Sequence, residues 1–281
     1  MDRTNRTSGV QEIRYWGMPD ALWARIQPLL PPRPPHPLGC HRPRVADRRA
    51  MDAIFFVLRT GCHWNALNAT GICSSSSAHR RFQEWTHAGV FERLWALDLQ
   101  EYDELREIQW GYQAMDGAMT KAPLGGKRTG PNPTDRSKRG TKRSLLVAGR
   151  GVPLGVAVAG ANRVDFQLLQ ETLDSIPADC PLAPADIEQG LWLDKGYDFD
   201  AIHGQVRRNG YVPHIVPRDA ERTLLQKIPG YRARRWPVER TISWMNRFRR
   251  ILVRWEKKAV NYTAMVQLAC AFIAFKQAGL A

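Results

Sequence analysis

The spacing of apolar residues predicts that the first third of the chain is helical. Over residues 45–60, Ala50, Ile54 and Val57 share one helical face, and Gly61 follows where a helix commonly ends. The same spacing predicts helices over residues 20–30, 78–88 and 91–108. Serines directly precede the helix predicted over residues 78–88 and can cap it. The pattern therefore indicates an all-α region before residue 109.

The pattern changes at Tyr112, where short apolar runs of strand length begin. Two of these runs flank Gly149-Arg150-Gly151, which predicts a hairpin. The predicted strands cover residues 112–119, 144–148, 152–159, 191–193 and 211–216, and the predicted helices cover residues 166–176, 198–209 and 262–276. A further helix is expected to begin at Pro237. A hairpin followed by strand–helix crossovers fits an α/β fold, a mixed sheet with helices on both faces.

The composition is strongly basic, with 41 Lys and Arg against 27 Asp and Glu and a formal net charge of +14. Because 43% of the residues are hydrophobic, this charge belongs to a folded surface. Such a surface favours a polyanion, with nucleic acid as the first candidate. No apolar run approaches the roughly 18–20 residues that span a bilayer, and the N-terminus lacks the regions of a secretory signal. We therefore expect a cytoplasmic, nucleoid-associated protein without a membrane partner.

The five cysteines are odd in number, scattered and without a C-x-x-C pair. Reduced thiols are the simple interpretation. Three of the cysteines share the N-terminal region with His41, His63 and His79. A zinc site there stays open as an alternative, although the spacings match no common zinc motif.

Positive charge is concentrated in two places. The third predicted helix carries Arg80 and Arg81, and with the helix before it suggests a helix-turn-helix-like unit that binds DNA. A small structural bundle explains the same pattern. The segment 121–143 holds eight Lys and Arg, including Lys142 and Arg143, and a single acid. We expect this loop to contact DNA phosphates, with a solvated charged loop as the alternative.

A single acid, Glu239, lies among seven arginines in the segment 234–254. Pro237 suits the first position of a helix, where its missing N–H is not needed. From there apolar residues recur at helical spacing as far as Leu252, and Glu239 lies at the edge of that stripe. A lone carboxylate in a basic helix is commonly a salt-bridge partner, so its meaning depends on the rest of the chain.

Two aspartates interrupt apolar strand sequence upstream. Asp116 lies near the middle of the first predicted strand, and Asp194 ends a later, parallel strand. Ligand sites of open α/β sheets lie at such carboxyl ends. A buried carboxylate needs a cation, either a structural Arg or Lys or a metal ion. Carboxylates brought together suit Mg²⁺ or Mn²⁺, and two ions about 3.5–4 Å apart suit phosphodiester chemistry. Asp194 also fits a simple helix-start turn, with Asp198 capping the next helix.

Several motifs together resemble the DDE transposases of bacterial insertion sequences, in the branch named after insertion sequence number five. In the N-terminal region the matching motifs are PLLP at 28–31, AIFFVLRTGC at 53–62 and HRRFQEW at 79–85. Further along they are DG at 116–117, GTKRSLL at 140–146, GANR at 160–163 with Asp165, DKGYD at 194–198, VERT at 238–241 and NRFRR at 246–250. The resemblance covers nearly the whole chain.

The resemblance implies a ribonuclease-H-like catalytic domain over residues 109–281, preceded by a helical DNA-binding domain over residues 1–108. It implies that Asp116, Asp194 and Glu239 form a catalytic triad that holds two Mg²⁺ or Mn²⁺ ions. The implied activity is that of a transposase, which binds terminal inverted repeats, cleaves DNA strands and transfers them. The implied partners are double-stranded DNA, as transposon ends and target, and further copies of the chain in a homo-oligomer.

The family pattern around the glutamate is Tyr-x2-Arg-x3-Glu-x6-Lys. Arg235 matches its arginine, whereas Arg232 occupies the tyrosine position and Asn246 the lysine position, with Arg247 one residue later. The predicted phosphate-binding residues are Arg235, Arg240, Arg247, Lys142, Arg143, Arg80 and Arg81. A transposase-derived repressor that binds DNA without catalysis is the alternative function, and a general nuclease of the same fold is a third.

Overall fold

The computed structural model describes residues 16–32, 44–215 and 235–280. The N-terminal helices are α1 (Asp20–Ile26), α2 (Asp47–Thr60), α3 (Ser75–His87) and α4 (Val90–Arg106). Short 3-10 turns follow α1 at Gln27–Leu29 and connect α2 to α3 at Trp64–Ala69. Gly61 ends α2 with a φ of +69°, and the Ser74 hydroxyl caps α3. The helical N-terminal region is thus confirmed.

The remainder of the chain alternates strands with helices. The strands are β1 (Tyr112–Lys121), β2 (Gly130–Pro131), β3 (Arg139–Ala148), β4 (Pro153–Gly160), β5 (Gln189–Leu193) and β6 (Tyr211–Ile215). The helices are α5 (Leu169–Leu173), α6 (Asp200–Arg208), α7 (Trp236–Met245), α8 (Arg249–Leu252) and α9 (Ala259–Ala278). Two 3-10 turns, at Asp165–Leu168 and Lys195–Tyr197, follow β4 and β5.

One mixed sheet contains these strands. β1 lies between β3, which is antiparallel to it, and β5, which is parallel. β6 extends the parallel side, while β4 and the short β2 pair with the other edge of β3. A three-strand antiparallel meander with two parallel strands added beyond its first strand is the ribonuclease-H-like order. The predicted fold class is therefore confirmed.

The antiparallel half of the sheet is covered on both faces. Every residue of β4, and every residue of β3 after Arg139, is buried. Because successive side chains of a strand point to opposite faces, this requires packed elements on each side. The packing elements include α5, α7 and α9.

A single hydrophobic core joins the N-terminal helices to the sheet. α9 packs along α4, and the Trp95 indole donates a hydrogen bond to the Pro153 carbonyl at 3.0 Å. By length and composition α9 could cross a membrane, but 72% of its most apolar window is buried inside the fold. This helix was predicted over residues 262–276, and in the structure it extends a few residues further at both ends. The predicted division at residues 108 and 109 lies between α4 and β1 and stays a prediction.

The helix that carries Glu239 differs from its prediction. It begins at Trp236, which makes Pro237 its second residue, and it ends at Met245. The apolar stripe expected to continue to Leu252 crosses instead into the separate helix α8. Glu239 therefore lies in the first turn of a ten-residue helix.

Two further segments also differ. The helix predicted over residues 166–176 is a 3-10 turn followed by the five-residue α5. β3 begins at Arg139, five residues before its predicted start at residue 144. Polar side chains hide the strand pattern in that first half, although its backbone pairs with β1 and β4. Part of the predicted basic loop is consequently sheet.

Candidate active site

The pairing of two parallel strands, β1 and β5, brings Asp116 and Asp194 together. β1 and β5 are parallel neighbours, with Ala114 opposite Trp192. Continuing that register by two residues sets Asp116 level with Asp194, on strands about 4.8 Å apart. β5 ends at Leu193, directly before Asp194, whereas β1 continues past it. Both aspartates therefore lie at the carboxyl-end edge of the parallel strands, where ligand sites form.

Local hydrogen bonds orient both carboxylates. Asp116 Oδ1 accepts from the Gly117 N–H at 2.7 Å. Asp194 Oδ1 accepts from the Gly196 N–H at 2.8 Å and caps the 3-10 turn after β5. Each aspartate keeps its second oxygen for other partners, so backbone contacts fix the side chains without neutralising them.

The alternative interpretation of Asp194, a helix-start turn with Asp198 as the cap of the next helix, is wrong about Asp198. α6 has Phe199 at its N-cap and no side-chain cap, whereas Asp198 Oδ1 lies 3.0 Å from His203 Nε2. Asp198 therefore does not cap the following helix, and the capping carboxylate of this turn is Asp194 itself.

The pKa of Asp116 is raised to about 6. Burial is the main cause, because it disfavours the charged form. The charges of Asp194 and Asp165 raise the pKa further, while the hydrogen bond from Gly117 and the charge of Arg235 lower it. Arg235 Nη1 lies 4.0 Å from Asp116 Oδ2. Repulsion between neighbouring carboxylates therefore reaches Asp116 in spite of this cation.

A third aspartate, Asp165, lies directly against Gly117. A Cβ placed on Gly117 would lie 1.9 Å from Asp165 Oδ1, so no larger residue fits there. Lys142 on β3 pairs with Asp165, with Nζ 3.0 Å from the carboxylate. The family motif includes Asp165, but sequence reasoning assigned it no role.

Tyr197 is a buried neighbour of the same three aspartates, whose charges act on it. Its side chain is fully buried, and its hydroxyl makes no regular hydrogen bond with the residues that the structure describes. The pKa of Tyr197 is raised well above its usual value by burial first and then by the charges of Asp165, Asp116 and Asp194, while Ser144 opposes the rise. Sequence reasoning missed this residue, because a tyrosine in a turn carries no signal of burial.

The third predicted metal ligand, Glu239, is exposed on α7. α7 packs against β1 and β3, so Glu239 belongs to a helix beside the strand of Asp116. Within the described ranges no three His, Cys, Asp or Glu side chains converge closely enough to hold a metal ion as they stand. The same finding gives the zinc alternative no support, although Cys40 and His41 lie outside those ranges. The donors are carboxylate oxygens, and this type suits Mg²⁺ or Mn²⁺.

Three predicted phosphate-binding cations are buried. Arg81 is 6% exposed and pairs with two acidic side chains of the N-terminal helices. Lys142 is 6% exposed and pairs with Asp165, and Arg143 is 3% exposed and donates to Asn246 Oδ1 at 2.7 Å. In this structure these side chains do not face solvent, which corrects the expectation that they lie on a DNA-facing surface.

Other predicted cations are accessible. Arg80 on α3 and Arg247 after α7 are exposed. Arg240 is half-buried between two indoles, with Cζ 4.0 Å from the Trp236 ring and 4.6 Å from the Trp244 ring. The connection between β1 and β3 adds the exposed cations Lys127, Arg128, Arg136 and Lys138, and Arg139, the first residue of β3, is exposed as well. The exposed cations of the basic segment 121–143 therefore precede Lys142 and Arg143, the two residues that were predicted to bind phosphate.

Two arginines after α7 serve the fold. Arg250 is 4% exposed and Arg254 is 1% exposed. Arg250 Nε donates to Glu256 Oε1 at 2.6 Å, while Arg254 donates to the carbonyls of Lys127 and Arg128 at 2.7 and 3.0 Å. Arg254 anchors the basic loop, while Arg250 links Glu256 to the Cys62 carbonyl. Arg232 and Arg234 lie outside the described residues, as does Tyr231, the tyrosine one residue before the family's tyrosine position.

Comparison with known proteins identifies this arrangement. A family model described as a transposase DDE domain matches residues 113–273, which is more than half of the chain. The chain belongs to the DDE transposase family. A second family model, described as a putative transposase of the IS4/5 family, matches residues 18–95 in the helical region.

Two relatives from Burkholderia cepacia agree with this assignment. The putative transposase for insertion sequence element IS402 is 34% identical over 151 residues, covering 53% of this chain and 69% of that protein. An uncharacterized 16.2 kDa protein of insertion element IS402 is 36% identical over 116 residues, covering 41% of this chain and 79% of that protein. A solved structure of the Mos1 mariner paired end complex with Mn covers 86% of this chain and 82% of its own at 10% identity. Its TM-score of 0.29 is too low to support an argument.

Family membership confirms the recognition made from the motifs. The chain has a DDE transposase domain, of an enzyme family that catalyses DNA cleavage and strand transfer, and enzymes of this family use divalent metals. The structure brings Asp116 and Asp194 together and adds Asp165, whereas the role of each single residue stays a prediction.

Proposed function

We propose that this transposase binds the terminal inverted repeats of its own insertion sequence, cleaves the DNA strands there and transfers them to target DNA. The observation that supports the proposal best is the level placement of Asp116 and Asp194 on adjacent parallel strands of a DDE domain. Carboxylates that repel one another favour a bound cation over the empty site. Such an arrangement suits divalent-metal chemistry better than a structural ion pair.

Each residue of the triad has a distinct position in this proposal. Asp116 and Asp194 would hold the two Mg²⁺ or Mn²⁺ ions from the sheet, and α7 would supply Glu239. Ions of this kind, when bound, activate a water or 3′-hydroxyl and stabilise the leaving oxygen of a phosphodiester. Arg235, 4.0 Å from Asp116, is the cation best placed to orient a phosphate beside the carboxylates.

The exposed cations define how DNA would be held. The loop between β1 and β3, together with Arg80 and Arg247, offers guanidinium and ammonium groups that solvent can reach. Contacts of this kind neutralise phosphates, so DNA affinity should fall steeply with salt. Assembly as a homo-oligomer on paired ends, and a cytoplasmic location at the nucleoid, belong to the same proposal.

The test is cleavage of DNA that carries the element's ends. We expect Asp116→Asn, Asp194→Asn and Glu239→Gln each to lower Mg²⁺-dependent cleavage by about 10³-fold or more. DNA binding in a gel-shift assay should change little. Glu104→Gln, which neutralises an exposed acid on α4, is the matched control and should keep wild-type cleavage.

Three outcomes separate the candidate functions. Cleavage that survives in all three triad variants contradicts the proposed active site. Binding of the ends by the wild type, without any nick in Mn²⁺, favours the repressor. Cleavage that is independent of the end sequence favours a general nuclease.

A further inference from the structure

We infer that Asp165 is a fourth carboxylate of the divalent-cation site, positioned by Lys142 and Tyr197. The inference rests on the proposed function, because it concerns the same site. It goes beyond the triad of Asp116, Asp194 and Glu239 by assigning a ligand, together with two residues that position it.

The first support is the contact between Asp165 and the backbone beside Asp116. Asp165 Oδ1 occupies the space that a side chain at position 117 would need, since a Cβ on Gly117 would lie 1.9 Å from it. Gly117 directly follows Asp116, and the charge of Asp165 is one of those that raise the pKa of Asp116. Asp165 therefore belongs to the acidic site in space, although 49 residues separate the two aspartates in the sequence.

The second support is that only one of the two Asp165 oxygens accepts a hydrogen bond from the described residues. Lys142 Nζ lies 3.0 Å from the carboxylate and donates its hydrogen bond to Oδ2. Oδ1 is buried and receives no hydrogen bond from the residues that the structure describes. A buried acceptor without a donor costs about 1–3 kcal/mol. A cation bound at Oδ1 would remove that cost.

The third support comes from Tyr197, which is not itself an acidic residue. Its hydroxyl is a buried donor without a regular hydrogen bond among the described residues, and its closest electrostatic neighbours include Asp165, Asp116 and Asp194. A phenol beside three carboxylates can donate to one of them once a cation draws them together. Buried polar groups are normally paired, and Ser144 is the hydrogen-bonding neighbour of this hydroxyl, which leaves it able to donate to a carboxylate of the loaded site.

A plain structural ion pair between Lys142 and Asp165 does not explain these contacts. A pair of that kind is favourable when both partners are satisfied locally and other charges are remote. Here Oδ1 lies against the backbone beside Asp116, in the space that a side chain on Gly117 would need. Lys142 Nζ lies 3.0 Å from both oxygens and anchors the carboxylate, while its hydrogen bond is directed to Oδ2.

The experiment is a calorimetric titration of the full-length protein with Mn²⁺ in the absence of DNA. We expect Asp165→Asn to weaken Mn²⁺ binding by about 10-fold or more, without lowering the thermal midpoint of the metal-free protein. Tyr197→Phe preserves the buried ring and should weaken binding by a smaller factor. Asp174→Asn, at an exposed acid after α5, is the matched control and should bind as the wild type does.

A double-variant cycle tests the role of Lys142. If Lys142 acts through Asp165, the effect of Lys142→Met on Mn²⁺ affinity should largely disappear in the Asp165→Asn background. Additive effects would overturn this part of the inference.

The outcomes separate the inference from the proposed function. Wild-type Mn²⁺ affinity in Asp165→Asn, with binding abolished in Asp116→Asn and Asp194→Asn, overturns the fourth carboxylate alone. Unchanged affinity in all of these variants overturns the metal site itself. Should Asp165→Asn fail to fold, wild-type affinity in Tyr197→Phe would count against the inference.

Discussion

Two charged clusters of this transposase combine carboxylates with basic side chains and differ in how completely the protein itself satisfies the charged groups. In the acidic cluster, which consists of Asp116, Asp165 and Asp194, carboxylates face one another at a solvent-accessible edge of the sheet. Among the described residues, the ion pairs to these carboxylates come from Arg235 and Lys142 only. Repulsion and burial together raise the pKa of Asp116 to about 6.

The arginine cluster, which consists of Arg250, Arg254 and Glu256, is sealed from solvent, with exposures of 4%, 1% and 6%. Arg254 alone donates to four carbonyl oxygens, and Glu256 accepts from Arg250. The ion pair with Glu256 and hydrogen bonds to carbonyl oxygens satisfy both guanidinium groups inside the protein. Incomplete neutralisation at an open edge therefore marks the site, whereas the density of charge does not.

The largest expected effect on stability is the loss of the buried ion pair in the arginine cluster. Glu256→Gln keeps the shape of the side chain but leaves the buried Arg250 without a counter-charge. Breaking a buried pair on one side costs about 3–5 kcal/mol. We expect a decrease of that size in the free energy of unfolding, measured by urea titration.

A second Arg–Glu pair supplies the control for that prediction. Arg128 and Glu171 form an ion pair with side chains that are 52% and 42% exposed. Glu171→Gln should cost less than about 1 kcal/mol, because exposed pairs contribute little. Equal losses in Glu256→Gln and Glu171→Gln would show that burial of the arginine cluster does not control its contribution.

The sequence predicted the carboxylates of the acidic cluster better than the cations around it. Asp116 and Asp194 stand out because each interrupts an apolar strand, which is a local signal. The state of a cation depends on partners that are distant in the sequence. Lys142 meets a carboxylate 23 residues away, and Arg143 meets an amide 103 residues away. Their burial could not be predicted from the local charge of the loop.

The same distinction applies to the fold. Apolar runs and helical spacing were sufficient to predict most of the sheet and its helices, because burial of a strand on both faces leaves a continuous apolar run. The two-residue β2 and the polar first half of β3 escaped prediction, since only backbone pairing defines them: β2 pairs with β3, and β3 with β1 and β4. Tyr197 escaped for a related reason, as only tertiary packing buries it beside the aspartates.

Asp98 provides an intermediate case, buried like the arginine cluster but incompletely matched. Its side chain is fully buried on α4, and its Oδ1 lies 2.5 Å from Arg25 Nε, while Oδ2 has no hydrogen-bond partner among the described residues. Burial raises the pKa of Asp98 to about 7, with Arg25 opposing the rise and Glu101 adding to it. The protonated form is thus the one that the fold favours.

The raised pKa predicts how stability depends on pH. The contribution of the protonated Asp98 is fully present below about pH 4, where the unfolded chain is also protonated, and is lost as the pH rises through about 7. Asp98→Asn lacks this dependence. Between pH 5 and 8 the wild type should therefore lose about 3 kcal/mol relative to Asp98→Asn. Urea titrations of both proteins at the two pH values measure the difference, and parallel pH profiles would contradict it.

The smallest expected effect has the opposite sign and belongs to the acidic cluster. Asp116→Asn keeps an oxygen that accepts from the Gly117 N–H and removes one of three repelling charges. In excess EDTA at pH 8 we expect the free energy of unfolding to rise by about 1 kcal/mol. Saturating Mg²⁺ should stabilise the wild type by mass action and the variant much less, which would cancel or reverse the gain. A loss of stability in EDTA would show that Asp116 holds the fold together, as Glu256 does, and would remove the contrast between the two clusters.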